Sequence, residues 1–290
     1  MHYLKRKKVI SWALYDWANS AFATTVMAGF FPLFFKSFWA EDLSPVESTA
    51  VIGATNSLAA LFIVLLAPIL GAYSDLGKLK KKFLAFFVLL GVLSTGYLYF
   101  IPQGDWIIAA SLYALAVIGF SGGNIFYDSL IASVSKQEQR NKVSSLGFSM
   151  GYLGGGLLFV INVLMYLKPT WFGLSSEIDA ILWSFLSVAF WWAIFSIPLF
   201  MNVEEKSNKE ITQGLLKTST EAFKEVLSTL REIKKHKRVA LFLLAYWLYI
   251  DGVDTIIRMA TAYGSDIGLD TASMITALLL TQFVGFPATL

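Results

Sequence analysis

Apolar runs separated by short polar breaks recur eight times along the chain, near residues 9–36, 46–73, 83–101, 106–131, 143–167, 180–202, 239–263 and 271–290. A helix needs about 20 apolar residues to cross a bilayer. In hydrocarbon the backbone must satisfy its own hydrogen bonds, so each run is predicted as a membrane-spanning helix, numbered here span one to span eight. Two starts carry capping signals. Ser44, Pro45 and Glu47 form a capping box with proline at the first helical position of span two. Asp270 is placed to cap span eight. The one long polar segment, 203–237, repeats Leu216, Phe223, Leu227 and Leu230 at helical spacing with Lys217, Lys224, Arg231 and Lys234 between them. It is predicted as a basic amphipathic helix on the membrane surface, linking two bundles.

Composition agrees with this pattern. Hydrophobic residues make up 56% of the 290 residues and charged residues 15%, against roughly 45–50% and 25% in soluble domains. Such a chain is neither a soluble enzyme, nor a disordered protein, nor a nucleic-acid binder. It has no cysteine and two histidines, His2 and His236, both in basic segments. Thiol chemistry and a His/Cys metal site are excluded on that ground, and neither a cofactor nor a metal is expected.

The net charge of +3 gains meaning once it is placed along the chain. Lys5 to Lys8, Lys78 to Lys82, Lys136 to Lys142 and the stretch up to Arg238 all fall at one set of span ends, whereas the opposite ends carry Lys36, Lys168 and little else. The positive-inside rule puts the N-terminus in the cytoplasm, and Trp39, Trp106 and Trp171 fall at the outer ends, where an aromatic belt is expected. The N-terminus is basic and then apolar, but it lacks a small-residue cleavage site and its run contains Asp16, so it is read as a retained span.

Spans one and seven share a pattern. Trp12, Asp16, Asn19 and Ser20 match Trp247, Asp251, Asp254 and Thr255 as W-x-x-x-D-x-x-N/D-S/T. They are read as equivalent first helices of two six-helix halves, a parallel repeat typical of transporters. The expected organisation is a six-helix bundle over 1–202, a linker over 203–238 and the first two helices of a second, incomplete bundle over 239–290, in a protein of about twelve spans.

Charge inside a span is costly, about 2.5–3.5 kcal/mol per residue at mid-bilayer, and so points to function. Asp251, Asp254 and Arg258 lie on one face of span seven with Trp247. Asp254 and Arg258 are spaced to pair, which leaves Asp251 as the candidate proton-coupling carboxylate. Asp16 and Asn19 in span one, and Asp128 near the basic end of span four, are further substrate or ion-coupling candidates. Gly147, Gly151 and Gly155 form a small-residue seam on span five, suited to close packing and to a sliding contact between halves. No Walker A, G-x-S-x-G or H-E-x-x-H motif is present, so no enzyme is expected.

The segment joining spans two and three, with Gly71, Asp75, Gly77 and Lys78, resembles the major facilitator superfamily loop motif G-x-x-x-D-R-x-G-R-R and is read as a gating latch. Gly71 and Asp75 match, whereas Leu76 replaces the arginine and Gly77 comes one position early. With WALYDWANSAF (Trp12–Phe22) and VSSLGFSMGYLGGG (Val143–Gly156), the chain resembles the vacuole-effluxer-like branch, named for fungal vacuolar amino-acid exporters and rich in bacterial members. The resemblance implies an all-α, multi-pass transporter of major-facilitator type working by alternating access, in a bacterial cytoplasmic membrane. Its expected partners are the lipid bilayer, a small polar solute such as an exported amino acid, and protons, with no nucleic acid. The competing expectation is a receptor or scaffold that keeps the fold without transport.

Overall fold

The computed structural model describes residues 2–75, 79–205, 224, 228, 231–233 and 235–289; of residues 2–5 and 72–75 it describes the backbone. Among the described residues, eight helices are long and apolar enough to cross a membrane: Arg6–Trp39, Pro45–Gly71, Lys80–Phe100, Trp106–Val134, Gln137–Leu167, Glu177–Asn202, Lys237–Asp266 and Thr271–Ala288. They are spans one to eight in order, each within a few residues of its predicted limits. The two capping signals act as expected. Ser44 N–H donates to Glu47 Oε2 at 2.9 Å while Glu47 N–H donates to Ser44 Oγ at 3.3 Å. Ser273 N–H donates to Asp270 Oδ1 at 2.8 Å.

Span one is the hub. It packs on spans five and six, while span three packs on spans four and six, span four on span two, and span eight on span five. Of the most apolar window of each span, 72% is buried in span one against 0% in span seven and 11% in span eight, so the core lies within the first six. Lipid is as apolar as leucine, so shape rather than water exclusion holds such helices together. The core is accordingly built from stacked aromatics. Phe31 lies on Tyr113 with centroids 3.9 Å apart, and Trp39 stacks on Phe185 at 5.7 Å. Where spans three and four cross, their backbones touch: a Cβ on Gly119 would stand 2.5 Å from the Gly91 nitrogen and 2.7 Å from the Phe87 carbonyl.

Two features differ from the sequence-based expectation. Span one is not uniformly α-helical, being π-helical over Phe22–Phe30 and Phe35–Trp39. Pro32 lies between these stretches and has no N–H to give to the ladder, which at Phe31 reaches back five residues to the Val26 carbonyl. The Ala28 carbonyl accepts from Thr261 Oγ1 of span seven at 2.8 Å. Trp39, expected in a lipid-facing belt, is fully buried and donates its indole N–H to the Ile101 carbonyl at 3.2 Å. It plugs the bundle end because the π-turns swing it inward and Phe34, Phe38 and Phe185 enclose it.

Candidate functional site

Spans one, four and five meet around a polar cluster one-third of the way along span one. Ten residues separate Asp16 from Arg6, about 15 Å of helix. Trp12 stacks flat on Tyr127 at 4.4 Å and donates its indole N–H to the Tyr127 carbonyl at 3.0 Å, which locks span one against the end of span four. About two turns further on, Asn19 Nδ2 donates to Asn124 Oδ1 at 2.6 Å. Asp16 lies between these two fixed points and is half-buried. Ser20 Oγ approaches its carboxylate at 3.5 Å. The Tyr127 hydroxyl comes close to the same carboxylate and is left without a well-formed hydrogen bond.

The glycines of span five make the room for this arrangement. A Cβ on Gly147 would stand 2.9 Å from the Trp12 ring and 3.2 Å from Asp16 Oδ2, and one on Gly151 would stand 2.6 Å from Ser20 Oγ. Gly155 continues the seam, where an added Cβ would stand 2.8 Å from Thr24 Oγ1. The seam therefore packs span five closely on span one, inside the first bundle. The neighbouring face of span five meets span eight: Ser149 Oγ donates to the Phe286 carbonyl at 3.1 Å, and a Cβ on Gly156 would stand 3.0 Å from Gln282.

The cluster has an acidic balance. Asp128 lies at the end of span four, exposed and near enough to Asp16 for the two charges to interact. Among the described residues neither carboxylate forms an ion pair with a basic side chain. The Tyr15 hydroxyl lies near the Asn19 side chain and the Trp192 indole N–H, and Tyr15 Oη, Asn19 Oδ1 and Trp192 Nε1 are buried without a well-formed hydrogen bond. The two carboxylates and the Tyr127 hydroxyl, on spans one and four, can receive a polar solute with a positive end, or a proton.

Sequence-nominated residues elsewhere do not join this cluster. Asp251 and Asp254 are exposed on span seven, and Trp247 is exposed where its counterpart Trp12 is buried, so the shared motif sits in two different environments. Arg258 Nη2 stands 4.0 Å from Asp254 Oδ2. Gly71 ends span two. The Asp75 side chain, Gly77 and Lys78 lie outside the described residues, as does most of the segment expected to form the amphipathic helix. The start of span three is instead capped by Glu205, whose Oε1 accepts from Lys81 N–H at 2.7 Å and whose Oε2 accepts from Lys80 N–H at 3.0 Å.

A second polar junction was not nominated from sequence. At the end of the molecule away from the lysine clusters, Lys36 of span one pairs with Asp266 of span seven. Lys36 Nζ also donates to the Ala262 carbonyl at 3.0 Å, and Thr49 Oγ1 of span two donates to Asp266 Oδ2 at 2.6 Å. With Thr261 on the Ala28 carbonyl, each span supplies a donor to the other's backbone. The only signal in the sequence was the isolation of Lys36 at a cation-poor end. The side chains of Lys36 and Asp266 are 11% and 25% exposed, so the pair is sheltered and is expected to be worth more than a surface pair, about 1–2 kcal/mol. Asp266→Asn is expected to raise the maleimide reaction rate of a cysteine placed at the buried Ala262 by about ten-fold. An unchanged rate would mean that the ion pair does not hold the spans together.

Comparison with known proteins agrees with this architecture. The family model described as Vacuole effluxer Atg22 like matches residues 4–290. The Uncharacterized MFS-type transporter YxiO of Bacillus subtilis (strain 168) is 39% identical over 288 residues, covering 97% of this chain and 65% of that protein. Autophagy-related protein 22 of Yarrowia lipolytica (strain CLIB 122 / E 150) is 22% identical over 287 residues, covering 72% of this chain and 47% of that protein. The chain thus spans just under two thirds of the first relative and about half of the second. Among solved structures, a D-xylose-proton symporter superposes with a TM-score of 0.57 at 14% identity over 98% of this chain and 66% of that one, a likeness of fold alone. With its eight spans arranged on a major-facilitator-type bundle, the chain belongs to the Vacuole effluxer Atg22 like family.

Proposed function

We propose that the protein is a secondary transporter that moves a small polar solute by alternating access, with an amino acid as the solute, export as the direction and a proton as the coupling ion. The observation that carries this reading is the Asp16 cluster: a half-buried carboxylate inside a span, tied to two further helices and lacking a basic partner among the described residues. A carboxylate in hydrocarbon needs a compensating charge. A proton or the ammonium end of an amino acid supplies it, and exchange between the two couples their movements. A receptor or scaffold has no use for such a group.

The wider reading comprises a six-helix bundle over 1–202, a linker over 203–238 and a second bundle beginning at 239, with Asp251 as the counterpart of Asp16. The lysine asymmetry supports a cytoplasmic N-terminus in a bacterial cytoplasmic membrane. The Lys36–Asp266 junction then closes the outer side, and the Asp16 cluster faces the inner half.

The test is flux of a labelled amino-acid panel in vesicles containing the full-length protein, with and without a proton gradient. Gradient-dependent movement of at least one amino acid is expected. Equal, gradient-independent movement of all of them, at the rate of empty vesicles, would sink the transport reading and favour the receptor or scaffold.

A further inference from the structure

Spans two, three and four leave a groove of about 820 Å³ between them, within the roughly 300–1,000 Å³ of ligand sites. Spans two and three scarcely touch, and Phe62, Leu66, Phe86 and Leu90 line the gap. Phe62 and Phe86 are also exposed, so the groove is open at the side of the bundle. The groove takes no part in the polar cluster on spans one, four and five.

Two properties identify its occupant. The first is length. Its lining runs from Leu79, just before span three, to Leu90, a rise of about 16 Å. That is half of a hydrocarbon core about 30 Å thick, the depth of one leaflet. The second is charge. Among the described residues the apolar lining is interrupted by one cation, Lys82, at the end where the lysine clusters gather. Lys82 is exposed, and among the described residues it forms no ion pair. Neighbouring Lys81 is already engaged, its Nζ donating to the Phe200 and Val203 carbonyls at 2.6 and 2.9 Å.

We propose that this groove is a binding site for one anionic phospholipid of the leaflet on the lysine-rich side, with its phosphate on Lys82 and one acyl chain between spans two and three. Cationic pockets between spans recognise anionic headgroups in this way, and the apolar channel adds the chain as a second determinant. A lipid held there would fill the gap between two helices that otherwise barely meet.

Native mass spectrometry of the purified chain, after exchange into equal phosphatidylglycerol and phosphatidylcholine of identical chains, tests the site. Phosphatidylglycerol is expected to be retained at least five-fold over phosphatidylcholine, with one lipid per chain. Lys82→Gln should remove that preference and Lys82→Arg should keep it. Leu66→Trp, which fills the groove, should lower retention of both lipids, whereas Phe190→Trp on the exposed face of span six should change neither. Each variant is first checked as monodisperse with wild-type helix content. Equal retention of the two lipids by the wild type would overturn the proposal. So would unchanged phosphatidylglycerol retention in Lys82→Gln, or in a folded Leu66→Trp.

Discussion

Gly119→Leu is expected to abolish assembly of the first bundle, while Gly252→Ala is expected to be neutral or mildly stabilising. Both glycines lie within helices, where replacing glycine by alanine gains about 1 kcal/mol when nothing else changes. At Gly252 nothing lies within 4 Å of an added Cβ, so the helical gain stands. At Gly119 an added Cβ would lie 2.5 Å from the Gly91 nitrogen, 2.6 Å from the Gly91 Cα and 2.7 Å from the Phe87 carbonyl. These are backbone atoms of span three and cannot rotate away as a side chain could. Span three cannot retreat cheaply either, since a Cβ on its Gly91 would stand 2.3 Å from Trp192 of span six. Overpacking in cores that can relax costs about 1–3 kcal/mol, and here leucine must separate two backbones. Gly119→Ala should therefore lower the thermal midpoint despite its better helix propensity, and Gly119→Leu should yield no monodisperse protein on size exclusion. A Gly119→Leu protein as monodisperse and heat-resistant as wild type would show that the close crossing of spans three and four is dispensable.

In the full-length protein, Asp16→Asn is expected to cut gradient-driven accumulation at least ten-fold while leaving the protein folded and inserted. Asparagine keeps the size of the side chain and can still accept from Ser20, so the seam against Gly147 and Gly151 is preserved. What it cannot do is take up and release a proton. The two readouts are accumulation driven by a proton gradient and counterflow exchange without one. Loss of the first with survival of the second marks a coupling residue; loss of both marks a solute-binding one. Asp251→Asn, tested beside it, asks whether the second copy of the motif shares the role. Wild-type accumulation by Asp16→Asn would remove Asp16 from the mechanism and leave Asp251 as the candidate. Asn19→Ala serves as the structural control. It removes the 2.6 Å bond to Asn124 and should lower stability before it changes the coupling readout.

The relatives fit this division of roles only at the level of fold and family. At 14% identity the D-xylose-proton symporter shares the arrangement of helices with this chain, and its printed solute and coupling ion belong to that protein. The Asp16 cluster has to be argued from its own atoms.

The eight spans, their lengths, two of their caps and the concentration of lysine at one set of ends were all legible in the sequence, because each depends on local physics. A run of about 20 apolar residues has no alternative to a helix in lipid, and a capping box closes within four residues. The YDWANSAF string and the glycine run also marked spans one and five, which pack together. What the string could not reveal is partnership. Asp16 and Asp251 occupy matching motif positions, yet one lies in a notch cut by Gly147 and Gly151 while the other is exposed, because helices more than a hundred residues away determine what surrounds each. The Lys36–Asp266 junction, the Glu205 cap on span three and the pairing of Thr261 with the Ala28 carbonyl join residues 230, 124 to 125 and 233 positions apart. Periodicity carries no information over such separations. Only the packing of the bundle decides which carbonyl is short of a donor and which side chain arrives to supply it.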